Sequence, residues 1–203
     1  MKNKFIYAVI LIILSYSSYA GGLTNGLNLT FKDKLFVYAA AGISQLDVDE
    51  SLAPNTVLTS GALDNTGSIF EVGLGHRYNK KIFTTFSLQR NKLENANIHN
   101  IYGSVNYQLS TKKVKPFIGL LAGHSRLKWS TPPHQVRINK NLTSKGFMYG
   151  VQMGIEKKLQ NNLSVFIKYQ FIKNDHKIEI VDNKSNIRHN SEQNLLLGLQ
   201  YSF

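Results

Sequence analysis

The chain has no cysteine, so neither a disulfide nor a thiolate metal site can form. It is also short of acid: 12 Asp and Glu stand against 24 Lys and Arg, a formal net charge of +12. Past residue 20, no apolar run approaches the roughly twenty residues of a membrane-spanning helix. Helical periodicity is almost absent, which argues against a helical fold of any kind. What remains is a length, 203 residues, that suits one sizeable domain.

The first twenty residues read separately. Lys2 and Lys4 precede the apolar run Phe5 to Leu14, and Ser18 and Ala20 supply small residues just before Gly21 and Gly22. That order is the layout of a secretory signal peptide, with cleavage expected after Ala20. An uncleaved anchor is the alternative, but the run is about half the length that spanning requires. Removal of Lys2 and Lys4 leaves 22 basic against 12 acidic residues, a net +10. Such a balance suits nucleic acid in a cytoplasmic protein. In an exported one, anionic lipid or surface polysaccharide is the expected counter-charge, and no nucleic-acid partner is expected.

After a short segment, 21–33, about eight stretches of roughly ten residues alternate with period two from residue 34 to 203. Leu35, Val37, Ala39, Ala41 and Ile43 oppose Phe36, Tyr38, Ala40, Gly42 and Ser44. Phe70, Val72 and Leu74 oppose Glu71, Gly73, Gly75 and Arg77. Further on, Val151, Met153 and Ile155 oppose Gln152, Gly154 and Glu156, and Val165, Ile167 and Tyr169 oppose Phe166, Lys168 and Gln170. The chain closes on LLLGLQYSF, where Leu195, Leu197, Leu199, Tyr201 and Phe203 form an apolar stripe that would invite aggregation on a soluble edge strand.

Aromatics gather near stretch ends at Tyr78, Tyr107, Tyr169, Phe171, Tyr201 and Phe203, while glycine and mid-strand charge sit on the other face. Apolar-out, polar-in strands with aromatic girdles predict an all-β fold: an eight-stranded antiparallel up-and-down transmembrane barrel. A soluble lipocalin-like barrel with its apolar face inward shares the periodicity, but the export signal and the girdles favour the membrane. The connectors 79–81, 110–115 and 157–162 are short, whereas 45–66, 91–100, 129–145 and 174–193 are read as longer loops. Short periplasmic turns and long outer loops fit that contrast.

Three stretches resemble the small eight-stranded outer-membrane barrels of the OmpA, OmpX and opacity-protein type. They are Pro116-Phe117-Ile118-Gly119 with Gly123; Gly150-x-Gln152-x-Gly154-x-Glu156 followed by Asn161 to Ser164 and Tyr169; and Leu197 to Phe203. The resemblance implies outer-membrane localisation and a monomer. It also implies that Leu199, Tyr201 and Phe203 are read by the barrel-insertion machinery. Leu121 stands where that family usually has glycine, which argues against an open channel. No peptidoglycan-binding domain follows Phe203, so cell-wall anchoring by one is not expected.

Eight strands leave an interior that side chains can fill, so Glu71, Arg77, Glu156 and Lys168 are expected to pair as a charge plug. Lys128, Arg137, Lys140, Lys145, Lys173, Lys177, Lys184 and Arg188 are assigned to basic outer loops that face lipopolysaccharide or a host or other surface ligand. His124-Ser125 is not a catalytic dyad, because neighbours on a strand point to opposite faces. Asp47, Asp49 and Glu50 lack the rest of a calcium loop, and His134, His176 and His189 fall in different loops, so no metal and no cofactor is expected. The expected role is non-enzymatic: envelope integrity or surface interaction, including adhesion. A lipid A-modifying enzyme is the alternative, and a narrow diffusion pore comes third.

Overall fold

A computed structural model of the chain describes residues 35–51, 66–93, 96–109, 114–129, 143–179 and 186–203; for 48–51, 129, 177–179 and 186–187 it describes the backbone alone. The expected signal peptide, the segment 21–33, and Arg137, Lys140, His134 and Lys184 lie outside the described residues.

Eight strands follow in chain order: β1 (Leu35–Ser51), β2 (Thr66–Arg77), β3 (Ile82–Lys92), β4 (Ala96–Gln108), β5 (Lys115–Trp129), β6 (Thr143–Lys158), β7 (Leu163–Glu179) and β8 (Asn186–Ser202). Each pairs antiparallel with the next, and β8 returns to β1, so the ladder closes into a barrel. Closure is the physical requirement for crossing lipid with strands, since it leaves no backbone edge unpaired in hydrocarbon. The seam is knit from Phe36↔Ser202 up to Ser51↔Asn186, with one irregularity between Asp47 and Val48. At the foot, the Phe203 amide donates to the Leu35 carbonyl at 3.1 Å.

Alternation decides what faces where. Val37, Ile43, Phe70, Leu74, Leu88, Val105, Leu120, Leu197 and Leu199 are exposed on the outside, while Phe36, Tyr38, Glu71, Lys168, Leu196 and Gln200 are buried inside. The outward face forms an apolar belt. Tyr78, Tyr107, Tyr201 and Phe203 project at the short-turn end, and Phe147, Tyr149 and Tyr169 at the other. The turn at residues 78–81 is set by Asn79, whose side-chain oxygen accepts from the Lys81 and Ile82 amides at 2.7 and 2.9 Å, a local device that favours asparagine in turns.

Strands of 11 to 17 residues run past the belt at the end opposite the short turns, and this corrects several sequence-based expectations. Residues 91–100 are not a long loop: β3 and β4 pair up to Lys92↔Asn97, leaving only 93–95 between them. Lys128, Lys145, Lys173, Lys177 and Arg188 stand on strands, not in loops. The acidic stretch Asp47, Asp49 and Glu50 likewise belongs to β1, and His176 and His189 belong to β7 and β8. Above the belt the outward face turns polar while Leu46, Ile98 and Leu127 are buried inside, so the outward apolar marker of the strand ends there.

The lumen is filled by pairing large side chains with glycines. Directly across the ladder, Phe36 faces Gly75, Tyr38 faces Gly73, Phe117 faces Gly154 and Phe166 faces Gly198. A Cβ at any of these four glycines would collide with the facing ring. The glycines thus let four aromatic rings lie across a barrel that has little room for side chains of equal size from every strand.

Candidate functional site

The interior is layered. Next to the short turns, the rings of Phe36, Phe83 and Phe117 meet edge to face, with centroids 6.0 and 5.6 Å apart. Arg77 lies over the Phe36 and Phe83 rings at 5.2 and 5.0 Å, a cation–π placement. Its guanidinium donates to Glu156 Oε2 at 2.5 Å and to Gln108 Oε1 at 2.8 Å. The Arg77 side chain keeps 21% exposure, so this pair stands at the mouth.

One layer further in, Lys168 Nζ donates to Glu71 Oε1 at 2.7 Å, and the same oxygen accepts from the Tyr38 hydroxyl at 2.7 Å. Tyr38 in turn lies 2.5 Å from Ser87 Oγ. Gln89 reaches Glu71 Oε2 at 3.3 Å and Gln170 at 2.9 Å, and Gln170 reaches Tyr102 at 2.7 Å. Both ions of the Lys168–Glu71 pair are buried. A buried pair needs its remaining donors and acceptors met: Tyr38 and Gln89 donate to Glu71, and the Tyr38 and Phe166 rings face the Lys168 ammonium at 5.3 and 5.8 Å. The four charges singled out in the sequence therefore meet in two ion pairs, one at the mouth and one mid-lumen. Between the two levels lies a cavity of about 30 Å³, beside Thr85, Gln152 and Lys168. That is space for a water or two. Above it, Leu121 packs with Tyr102, Met148 and Ile172 in a dry layer.

Nearer the long-connection end is a cluster that the sequence reading missed. The buried Glu192 accepts from Asn91 Nδ2 at 2.7 Å, from Asn100 Nδ2 at 3.2 Å and from Asn174 Nδ2. Its parity matches Leu196, and extending the alternation two steps upstream of LLLGLQYSF places it inside. Asn91, Asn100 and Asn174 follow by the same rule from Gln89, Tyr102 and Gln170.

His176 and His189 face each other across β7 and β8 and are buried. The exposed Lys173, Asp175 and Arg188 beside them place this level above the apolar belt. His176 Nε2 is 2.8 Å from Ser125 Oγ, and Nδ1 is 3.3 Å from Ser144 Oγ. Burial pushes His176 down to about 4 against the opposing pull of Asp175. Burial, and then His176 itself, push His189 to about 4 as well. Ser125 thus has a histidine partner, but not its neighbour: His124 is on the outside, its ring 6.1 Å from that of Phe147. Among the described residues, no group of three or more His, Asp or Glu could hold a metal ion.

On the outer wall, Leu199, Tyr201 and Phe203 project toward the membrane side, with the Tyr201 and Phe203 rings 5.5 Å apart. Lys128, Lys145, Lys173 and Arg188 are exposed above the belt, and Arg188 is bound to Asp175 at 2.9 Å.

No protein-family model matches the sequence, and comparison with curated proteins finds no match. Solved structures do match. Neisserial surface protein A is 17% identical with a TM-score of 0.60, over 83% of this chain and 97% of that one. The chain has the fold of the small outer-membrane β-barrels. Two further barrels align at lower similarity. The N-terminal β-barrel domain of Pseudomonas aeruginosa OprF is 12% identical, TM-score 0.46, over 84% of this chain and 98% of that one. Ail, the attachment invasion locus protein of Yersinia pestis, is 14% identical, TM-score 0.45, over 83% and 99%.

Proposed function

We propose that this protein is a non-enzymatic resident of the bacterial outer membrane that works through its outer face, in envelope integrity or surface adhesion. The observation that carries the reading is a lumen closed by paired charge beneath a basic outer rim. Arg77–Glu156 and Lys168–Glu71 act as a structural plug, and Leu199, Tyr201 and Phe203 serve as the recognition row for membrane insertion. The expected state is a monomer, because closure satisfies every strand edge without a second copy.

The alternative of a lipid-modifying enzyme has one specific observation in its favour, the Ser125–His176 contact at 2.8 Å. Against it, Ser125 keeps 2% exposure and His176 none, and the second imidazole nitrogen faces Ser144, not a carboxylate. A nucleophile needs both substrate access and an oriented base. Lipid A mass spectra from cells overproducing the protein are expected to be unchanged, and a new lipid A species lost in Ser125→Ala would overturn the non-enzymatic reading. Planar bilayers should register no steady conductance, and stable channels would revive the pore. For adhesion, deleting 130–142 and 180–185 should abolish surface binding while heat-modifiable gel mobility persists; undiminished binding would contradict it.

A further inference from the structure

Above the belt, the charge on the outer wall is one-sided and in register. Arg90 pairs across the ladder with His99, His99 with Arg126, and Arg126 with Lys145, on four consecutive strands. All four side chains are exposed on the outside. One step higher, Lys92 and Lys128 flank Asn97. Between residues 80 and 160 the sequence holds only two acids, Glu94 and Glu156, and Glu156 points into the lumen, bound to Arg77. Among the described residues, no carboxylate faces outward on β3 to β6. Elsewhere at this height β1, β2 and β8 present Gln45, Asp47, Ser68 and Gln193, while on β7 Asp175 is occupied by Arg188.

Like charges directly opposite one another destabilise a sheet; Arg126 faces Lys145, and Arg90 stands two strands away across His99, so the row calls for an anion. Partial desolvation, and after it the charges of Arg90 and Arg126, lower the proton affinity of His99. Among the described residues, Arg90 donates to Asn97 at 3.3 Å and to no other side chain. Directly beneath the row lie Leu88, Ile101, His124 and Phe147, and the three apolar ones begin the belt. At its β2 edge a shallow hollow is lined by Ser68, Phe70, Arg90 and Lys92. Neighbouring strands are ~4.8 Å apart, so the row is roughly 14 Å long, room for more than one phosphate.

We propose that Arg90, Arg126 and Lys145, flanked by Lys92 and Lys128, form a docking site for the phosphorylated headgroup of a membrane lipid whose acyl chains lie on the belt below. Arginine and lysine bind phosphate by charge-assisted hydrogen bonds, and the belt supplies the apolar half of the same ligand. A soluble polyanion would need the first half alone. The inference rests on the membrane-barrel reading and adds the lipid class and its position.

The test uses the full mature chain in detergent, with folding checked first by heat-modifiable mobility, so that a failure to form a barrel is distinguished from a failure to bind. Native mass spectrometry then compares retention of lipid A with that of its dephosphorylated form. Wild type should retain lipid A preferentially, and R90Q/R126Q/K145Q should weaken retention by about tenfold or more, as lost charge-assisted contacts imply. A control, K80Q/K157Q at the opposite end, should bind as wild type. Equal retention of the two lipids, undiminished binding by the triple variant, or preference for a soluble sulfated glycan over lipid A would each overturn the proposal.

Discussion

Among the described residues, Lys168 and Glu71 are each other's only opposite charge in the mid-lumen network, so losing one strands the other. Lys168→Met should cost about 3–5 kcal/mol in urea unfolding from vesicles, as removing one partner of a buried pair does. The double variant Glu71→Gln with Lys168→Met should lose less than Lys168→Met alone, and a larger loss would contradict the pairing. The histidines give a pH signature. His176 and His189 titrate near 6.5 when unfolded but are held down to about 4 in the barrel. Their contribution is intact above 6.5 and is lost as pH falls toward 4, by about 3 kcal/mol per histidine at the bottom of that window. Glu192 shares this end of the lumen, and Asp175 and Arg188 flank it, so the comparison must be with His176→Asn, whose unfolding midpoint should fall less between pH 7 and pH 4. Equal slopes would remove His176 as a cause.

At the scale of the strand, Gly198 illustrates how side-chain size is matched across the ladder. Its inward face is occupied by the Phe166 ring. Gly198→Val should therefore reduce the heat-modifiable fraction sharply, while Leu197→Val, two methyls facing lipid, should leave it near wild type; comparable effects would contradict the packing. Such parity was legible in the sequence: the face assigned to Glu71, Arg77, Glu156 and Lys168 is the inward one. Strand length was not, because above the belt the outward face is polar, as at His99, Arg126 and Lys128, and the apolar residues Ile98 and Leu127 lie inside. Lys128, Lys145 and His176 therefore looked like loop residues, and Glu192 escaped notice. The register irregularities at Asp47 and between Lys173 and His176 leave no local mark either. Nor could spacing foresee Ser125 meeting His176, which are joined only by the closed curvature of the sheet.

At the level of the belt the barrel inverts the usual arrangement of a soluble one, with Leu74, Leu88, Leu120, Leu197 and Leu199 outside and Glu71, Glu156 and Lys168 within. That inversion explains the missing cysteines in physical terms: a closed ladder in lipid is already held by its backbone bonds. It also turns LLLGLQYSF from a liability into a paired strand with partners on both sides, β7 and β1. The natural absence of cysteine makes one measurement direct. Single cysteines placed from 193 to 201 can be nitroxide-labelled in bilayers and their collision with oxygen, which concentrates in lipid, compared with a water-soluble quencher. The expected result is a period-two oscillation with oxygen access highest at 195, 197 and 199 and low at 194, 196 and 198. Water-soluble quencher access at 195, 197 and 199, or an oscillation of opposite phase, would contradict a barrel that turns its apolar face to the membrane.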